Sequence, residues 1–342
     1  MNLLLLSSDP ISIPCLDALA EGRVEGLSLA GVVTNPDRRS GRGKRLQRNP
    51  VAAAADRHGI PLAQAARLRA GDLEGFAACD GVLVFAFGQI LPRRVLALRP
   101  GGFLNFHTSP LPELRGPSPI ETAIAEGRTR TEICLMEIVP RMDAGPVIAR
   151  RPVPIRPDDT GASLRETLAR EAVRLLGTVP AALRGELPRR EQDETRATWC
   201  RMIGKADALL DFSLPARALA DRSRAFAGWP GSAIRAGGET IRVEGVRPVE
   251  AAGRPGQILE AGGRLVVAAG EGAVAIGSLQ RPTRKLLPWP EFRKSFPLRP
   301  GTLLSYPLSR PLVRGNQARL RPVRKERAPA RNPGTDLDSP SL

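Results

Sequence analysis

The first half of the chain alternates short apolar runs with amphipathic stretches. Apolar runs bounded by turn residues predict five strands, at Asn2–Leu6, Leu27–Thr34, Asp80–Phe87, Phe103–His107 and Glu132–Val139. Stretches with helical periodicity and start or stop residues predict three helices, at Pro50–Arg57, Pro119–Glu126 and Ser163–Leu176. This alternation predicts an α/β domain over residues 1–184 with a Rossmann-like parallel sheet that helices cover on both faces.

The pattern changes after residue 184. Residues 185–206 are charged and weakly periodic, which predicts a linker between two domains. Residues 207–309 begin with a predicted helix at Pro215–Phe226 and continue as short strands separated by glycine, at Ser232–Arg235, Thr240–Val246, Gln257–Leu259, Arg264–Ala268 and Ala273–Leu279. Short strands at this spacing predict a small C-terminal β-barrel of the OB-like kind.

The end of the chain has a third character. Residues 310–342 are rich in Pro and Arg and show almost no apolar periodicity, which predicts a basic, disordered tail. We expect this tail to be dispensable for chemistry, so that truncation after Pro307 leaves turnover within a few-fold.

Charge and cysteine usage narrow the class of protein. The chain has 51 basic and 35 acidic residues, a formal net charge of +16, which suits a polyanionic partner such as nucleic acid. A membrane surface is the competing partner, but there is no apolar run long enough to span a bilayer. The first residues lack the features of a signal peptide. Four scattered cysteines form no CxxC pair, which predicts neither a metal site nor disulfides and favours a reduced cytoplasm.

Asn105 and His107 end the predicted strand Phe103–His107. Residues two apart in a strand share a face, so the two polar side chains point to the same side. Open α/β sheets bind ligands at the carboxyl ends of their strands, which makes this pair a candidate site. The alternative interpretation is a hydrogen-bonded core histidine beside a turn asparagine.

A second candidate is Asp143, which follows the predicted strand Glu132–Val139 in the segment Arg141–Gly145. Asp and Gly together are typical of a tight irregular loop, so an ordinary Asx turn is the plain interpretation. An aspartate at a neighbouring strand end also suits a functional role, because it can reach His107, fix the ring and favour its charged form.

At these residues the sequence resembles the folate-dependent formyltransferase family. The family pattern runs Asn-x-His, Ser-Leu-Leu-Pro, Arg-Gly and Pro, with a distant Asp-x-Gly, and the chain matches it at Asn105, His107, Ser109, Leu111, Pro112, Arg115, Gly116, Pro119, Asp143 and Gly145. Three places depart from it. Pro110 replaces the first leucine, Pro117–Ser118 stands where two small residues are usual, and Ser7–Pro10 replaces a typical Gly-Thr-Pro loop.

The resemblance implies a formyltransferase domain that transfers the formyl group of 10-formyltetrahydrofolate to an amine. It implies that Asn105 and His107 donate to the developing oxyanion and that Asp143 orients and charges His107. It also implies a set of folate-binding residues, namely Phe87, Gly88, Leu91, Ser109, Pro110, Leu111 and Pro112. The folate is then a cosubstrate, and no cofactor remains bound.

The acceptor is indicated by a basic, glycine-containing loop between residues 34 and 49. It holds six basic residues, Arg38, Arg39, Arg42, Lys44, Arg45 and Arg48. Such a loop is usually a solvated charged surface, but its charge also suits a phosphate backbone. By resemblance to the family's insertion into the tRNA acceptor arm, Arg38, Arg42, Lys44 and Arg45 are predicted to bind tRNA.

The resemblance, together with the basic loop, therefore implies formyl transfer to the amino group of methionyl initiator tRNA, and we expect a bacterial, cytoplasmic and monomeric enzyme. One rival is a formyltransferase for a nucleotide-sugar amine, or a hydrolase of the formyl donor, on the same fold; either is expected to lack the basic loop and the barrel. The other is a nucleic-acid-binding protein that has lost part of the trio. No GxGxxG follows the first strand, which weighs against a dinucleotide oxidoreductase.

Overall fold

A seven-stranded sheet forms the centre of the N-terminal domain. The computed structural model describes residues 1–40, residue 43 and residues 45–315. The strands of this domain are β1 (Asn2–Leu6), β2 (Ser28–Thr34), a separate hairpin of β3 (Arg38–Ser40) and β4 (Arg45–Gln47), β5 (Leu62–Gln64), β6 (Gly81–Phe85), β7 (Phe103–His107), β8 (Arg130–Glu137) and β9 (Val147–Pro154).

The sheet is mostly parallel. Its strand order is β5-β2-β1-β6-β7-β8-β9. Strands β5, β2, β1, β6 and β7 pair in parallel, whereas β8 pairs antiparallel with both β7 and β9. The prediction of an all-parallel sheet was therefore wrong at one edge. The short connection between β8 and β9 explains why these two strands are antiparallel, because a parallel return needs a crossover of a dozen or more residues.

Both faces of the sheet are buried, as the continuous leucine run of β1 predicts. Leu3 and Leu5 belong to the core on one face, while Leu4 and Leu6 belong to the core on the other. Each of these four leucines is at most 1% exposed. The two-residue alternation thus anchors β1 in the middle of the domain and leaves its carboxyl end at the site edge.

Helices flank the sheet. They are α1 (Ile13–Ala20), α2 (Pro50–Arg57), α3 (Arg93–Leu96), α4 (Pro119–Ala125), α5 (Gly161–Leu176) and α6 (Val179–Leu183). The helix predicted at Pro50–Arg57 is confirmed at both ends. The start predicted for α5 was two residues late, because Thr160 caps the helix and Ser163 closes a capping box with it.

The C-terminal domain has two four-stranded antiparallel sheets. The strands that follow β9 along the chain are β10 (Trp199–Cys200), β11 (Ser232–Ala236), β12 (Glu239–Glu244), β13 (Arg247–Val249), β14 (Ile258–Ala261), β15 (Leu265–Ala268), β16 (Ala273–Ile276), β17 (Ser278–Gln280), β18 (Leu287–Pro288) and β19 (Val313–Arg314). The helices of this domain are α7 (Ala216–Ala225) and α8 (Trp289–Ser295). The sheet orders are β11-β12-β17-β18 and β13-β16-β15-β14, and β10 pairs with β19 apart from both.

One predicted strand, Ala273–Leu279, is divided at Gly277. Its first part, β16, belongs to one sheet and its second part, β17, to the other. Gly277 bonds across to the neighbouring backbone, donating to Glu244 O and accepting from Trp289 N. Apolar periodicity does not reveal such a crossing, because buried residues continue on both sides of it.

The predicted linker and the start of the predicted tail both pack against the N-terminal domain. Cys200 and Trp199 pair with Val313 and Arg314, and Leu312, 1% exposed, lies in the N-terminal core. The prediction that a disordered tail begins at Arg310 was therefore wrong for residues 310–315. The remainder of that predicted tail lies outside the described residues. Within the described ranges, no helix is both long and apolar enough to span a bilayer.

Candidate active site

The candidate site begins at the end of β7. In this strand Asn105 is half-buried between buried neighbours, and His107 is 7% exposed. Both strands beside β7 fix the position of Asn105, which pairs with Val84 of β6 and Met136 of β8. The two polar side chains therefore share one face of a rigid central strand, as the two-residue spacing predicts.

Asp143 reaches this face by a different route from the one expected. Strand β8 runs antiparallel to β7, so its last residue, Glu137, lies opposite Leu104 rather than beside His107. The connection from β8 to β9 returns along the face to bring Asp143 to the ring. Asp143 is thus placed by a loop and not by a neighbouring strand end.

His107 is held from two sides. Its Nε2 lies 3.2 Å from the Leu114 carbonyl oxygen, and its Nδ1 lies 3.8 Å from Asp143 Oδ1. Since a carbonyl oxygen only accepts, the first contact assigns a proton to Nε2. Nδ1 is the ring nitrogen that faces the Asp143 carboxylate. The Nδ1–Oδ1 separation exceeds hydrogen-bond length, so a space remains between the two groups.

The other carboxylate oxygen of Asp143 is bonded to the loop that follows β7. Gly116 N donates to Asp143 Oδ2 at 2.7 Å. Gly116 has φ of 109°, and a Cβ there would lie 2.5 Å from the Cys200 carbonyl oxygen, so only glycine fits. The Arg-Gly part of the sequence motif is explained by this close approach.

Arg115 is a residue whose role the sequence pattern did not reveal. Its side chain is fully buried and bonds to Gln192 and Glu194 of the predicted linker. Burial lowers the pKa of the Arg115 guanidinium, and the negative charge of Asp143 opposes that shift. Gln192 and Glu194 lie in a charged segment without periodicity, which offered no signal for a position beside the site.

Two loops hold the residues that we predicted to bind folate. After β6 the backbone turns through Ala86 and Gly88, with φ of 52° and 74°. Phe87 and Leu91 are buried in the core, and the Phe87 carbonyl accepts from Asn35 Nδ2 at 3.2 Å. Side chains buried in this way leave the loop's backbone groups for contact with a ligand.

The second loop runs from Ser109 to Pro112. Ser109 Oγ donates to the Glu113 carbonyl at 2.7 Å, and Leu111 packs with Cys134, Met136 and Val147. Pro110 and Pro112 are half-buried. Ser109 and Leu111 thus shape the loop, which leaves its backbone and the two proline rings as the groups available to a ligand. Folate binding by this loop stays a prediction.

Within the basic loop between residues 34 and 49, two short strands pair antiparallel. Arg38 and Arg45 are exposed on its two strands, β3 and β4, which pair from Arg38 with Gln47 to Ser40 with Arg45. Arg42 and Lys44, two of the predicted tRNA-binding residues, lie outside the described residues. The hairpin stands apart from the trio in sequence and belongs to a sheet of its own.

The base of this hairpin is tied to the domain. Asp37 accepts from Asn49 N at 3.1 Å and from Gln64 Nε2 at 2.9 Å, and Arg48 pairs with Asp56. Hydrogen bonds from the Gln64 side chain and then from the Asn49 backbone lower the pKa of Asp37. The position of the basic strands is therefore set at their base, while their length projects into solvent.

Two family models cover most of the chain. The formyl transferase model matches residues 3–179, and the model of the formyl transferase C-terminal domain matches residues 202–297. The chain belongs to the formyl transferase family. In that family, a methionyl-tRNA formyltransferase of Parvibaculum lavamentivorans is 37% identical over 309 residues, which cover 88% of this chain and 99% of the relative.

A second relative has the same description. A methionyl-tRNA formyltransferase of Burkholderia ambifaria is 38% identical over 85% of this chain and 94% of its own length. Among solved structures, an N-formyltransferase from Helicobacter canadensis in complex with folinic acid and dTDP-3-aminofucose has a TM-score of 0.61 at 13% identity, covering 82% of this chain and 98% of that one. This formyl transferase structure supports the shared fold.

Proposed function

We propose that the protein transfers the formyl group of 10-formyltetrahydrofolate to the amino group of methionyl initiator tRNA. The observation that carries this proposal is the approach of Asp143 Oδ1 to within 3.8 Å of His107 Nδ1, on the strand that also carries Asn105, in a chain of the formyl transferase family. The acceptor follows from the near full-length relatives, which are described as methionyl-tRNA formyltransferases.

The reaction needs groups that stabilise charge as it moves. The neutral amine attacks the formyl carbon, a tetrahedral oxyanion forms, and the folate nitrogen leaves with a proton while the amine loses one. The Asn105 amide and His107 Nδ1 are the donors for that oxyanion, because His107 Nε2 is already engaged by Leu114. Asp143 orients the ring and supplies the negative charge that a protonated ring needs beside it.

Folate is the cosubstrate, and the two loops beside the trio are its binding surface in this proposal. The turn at Phe87 and Gly88, continuing to Leu91, presents backbone groups, and the segment Ser109–Pro112 closes the other side. Ligand-binding loops that are held rigid by buried side chains need little ordering when a ligand binds, which favours affinity.

The basic hairpin and the C-terminal domain are the tRNA-binding elements in this proposal. Residues 1–184 form the catalytic domain, residues 185–206 connect the domains, and residues 207–309 form an OB-like barrel. One observation supports the barrel: Ile241 and Val243 of one sheet share a core with Val267 and Val274 of the other. Exposed Arg38 and Arg45 are the hairpin's phosphate contacts.

The setting of the reaction follows from the chain's chemistry. We place the protein in the bacterial cytoplasm as a monomer. All four cysteines are free and buried, and burial raises the pKa of the Cys134 thiol to about 12 and that of Cys200 to about 11, which suits a reducing compartment where no disulfide is needed. Light scattering after size exclusion checks the monomer.

One assay tests the proposal. The purified protein is incubated with 10-formyltetrahydrofolate and charged initiator tRNA, and in parallel with a nucleotide-sugar amine or with water alone as acceptor. Formylmethionyl-tRNA is the expected product. Formyl transfer to the sugar amine, or release of formate without an acceptor, at a higher kcat/KM than transfer to tRNA would contradict the proposed acceptor.

A further inference from the structure

The segment predicted to be a linker is fastened to the site along its length. We call residues 190–200 the strap. Arg190 and Val147 exchange two backbone hydrogen bonds of 2.8 and 2.9 Å, and Cys200 N donates to the Arg115 carbonyl at 2.8 Å. Thr198 Oγ1 accepts from Leu114 N at 2.9 Å. The strap therefore contacts both β9 and the loop whose Leu114 carbonyl holds His107.

Gln192 lies near the start of the strap and joins it to two parts of the site. Its Nε2 donates to the carbonyl oxygens of Asp143 at 2.8 Å and Gly145 at 2.7 Å. Its Oε1 accepts two hydrogen bonds from Arg115, at 2.7 and 3.1 Å. A side-chain amide has two N–H donors and one oxygen with two lone pairs, so every hydrogen-bonding position of Gln192 is used.

The backbone that Gln192 binds has a conformation that requires stabilising contacts. Asp143 has φ of 50°, in the left-handed region that residues with a side chain avoid unless their surroundings fix them. On the opposite side, Gly145 packs so closely on β8 that a Cβ there would lie 1.9 Å from the Glu137 carbonyl oxygen. The Asp143 loop is thus fixed by β8 on one side and by Gln192 on the other.

We propose that Gln192 is a positioning residue for the formyl transfer reaction. It touches no substrate. It fixes the backbone of Asp143 so that the carboxylate stays beside His107 Nδ1, and it orients the buried Arg115 whose neighbour, Gly116, donates to the same carboxylate. This inference rests on the proposed function, since it assigns Gln192 a part in that reaction.

A purely stabilising role of Gln192 predicts a different result. If Gln192 only fastened the strap, its loss would lower the free energy of unfolding and leave turnover per folded molecule unchanged. A positioning role instead lowers kcat while KM and thermal stability stay close to those of the unaltered protein, since a displacement of about 1 Å in a site costs up to about 100-fold.

Two variants separate these roles. Gln192→Glu keeps the acceptor for Arg115 and removes both donors to the Asp143 loop, and Gln192→Met removes the donors without adding charge. We expect kcat to fall by about 10-fold or more in both, with the KM of each substrate within about three-fold. Unchanged kcat, or a loss of kcat matched by a lowered melting temperature, overturns the inference.

A control removes a comparable hydrogen bond elsewhere. Thr178 Oγ1 donates to the Leu175 carbonyl at 2.7 Å, at the start of α6 and away from the trio. Thr178→Val loses this side-chain donor to a backbone carbonyl, as the Gln192 variants do. We expect its kcat to match that of the unaltered protein, and an equal loss in this control would contradict a specific role for Gln192.

A double-mutant cycle tests whether Gln192 acts through Asp143. If it does, Gln192→Glu costs little further activity in an Asp143→Ala background, whereas independent effects multiply. Multiplied losses overturn the inference. The unaltered protein distinguishes this result from failure of the proposed function: without formylation of charged initiator tRNA by that protein, the proposed function fails first.

Discussion

The trio and the basic hairpin are organised in opposite ways. Around His107 and Asp143, hydrogen bonds hold His107 Nε2, the Asp143 carboxylate and the Asp143 carbonyl, and the strap contributes partners from as far along the chain as Thr198. Strands β3 and β4 carry exposed residues, and Asp37 and Arg48 at their base tie them to the domain. The structure of the trio is set by residues from distant parts of the chain, whereas the character of the hairpin is set by its own residues.

The difference corresponds to two kinds of work. Stabilising an oxyanion needs donors that are already in place, because any reorganisation during the reaction adds to the barrier. Attracting a phosphate backbone needs charge that can reach outward, and its strength falls with salt rather than with small displacements. Substitutions in the two regions are therefore expected to differ in size and in kind.

The largest effect is expected from His107→Ala, which removes a donor from the trio. We expect kcat to fall by about 100- to 1000-fold, equivalent to roughly 2.7–4 kcal/mol, in steady-state formylation assays. The chain offers a matched control in its other histidine, because His58 Nε2 also contacts an aspartate, Asp17, at 2.9 Å. Turnover close to normal in His107→Ala, or equal losses in His58→Ala, would contradict the catalytic role proposed for the trio.

The next effect concerns the anchor of the strap. Leu312→Ala removes a side chain buried in the N-terminal core, and we expect the free energy of unfolding to fall by about 2–3 kcal/mol in denaturant titrations. Leu308, 77% exposed, is the control, and Leu308→Ala is expected to be neutral. Truncation after Gly315 is expected to preserve stability. Truncation after Pro307, which the sequence pattern suggested was harmless, removes Leu312 and is now expected to destabilise the protein.

A smaller effect is expected at the hairpin, and it concerns the acceptor alone. Arg42 lies outside the described residues, so this prediction rests on its sequence position between Gly41 and Gly43. Arg42→Ala should lower kcat/KM for charged initiator tRNA by about 10- to 100-fold, roughly 1.4–2.8 kcal/mol, without changing the KM of the folate. Arg184→Ala, an exposed arginine paired with Glu186, is the control. Unchanged tRNA kinetics in Arg42→Ala would contradict a role of the hairpin in binding the proposed acceptor.

The smallest effect is expected at the base of the hairpin and depends on pH. The pKa of Asp37 is lowered in the folded state, so its hydrogen bonds stabilise the base above the unfolded value of about 4 and are lost as pH falls through the folded value. The protection of Asn49 N–H from hydrogen exchange should therefore decrease in acid. In Asp37→Ala that protection should be low at every pH, and an identical acid response in both proteins would disprove the assignment.

The same contrast separates what local sequence predicted from what it missed. The common face of Asn105 and His107 follows from the two-residue period of a strand, and the ends of α2 follow from Pro50 and Gly59. Strand β5 was not predicted, because three residues carry little periodic signal. Strand β9 was missed because two prolines and two arginines mark it as an edge strand, a position that depends on which strand lies beside it.

The sequence by itself determined the strand that carries Asn105 and His107, the alternation that buries β1, and the basic character of the segment between residues 34 and 49. Only the tertiary structure decided that β8 runs antiparallel, that a loop brings Asp143 to His107, and that Gln192 and Leu312 belong beside the N-terminal domain. The physical reason is separation along the chain. Periodicity and capping record contacts within a few residues, whereas Gln192 bonds to carbonyls 47 and 49 residues away, a pairing that exists only after the sheet has formed.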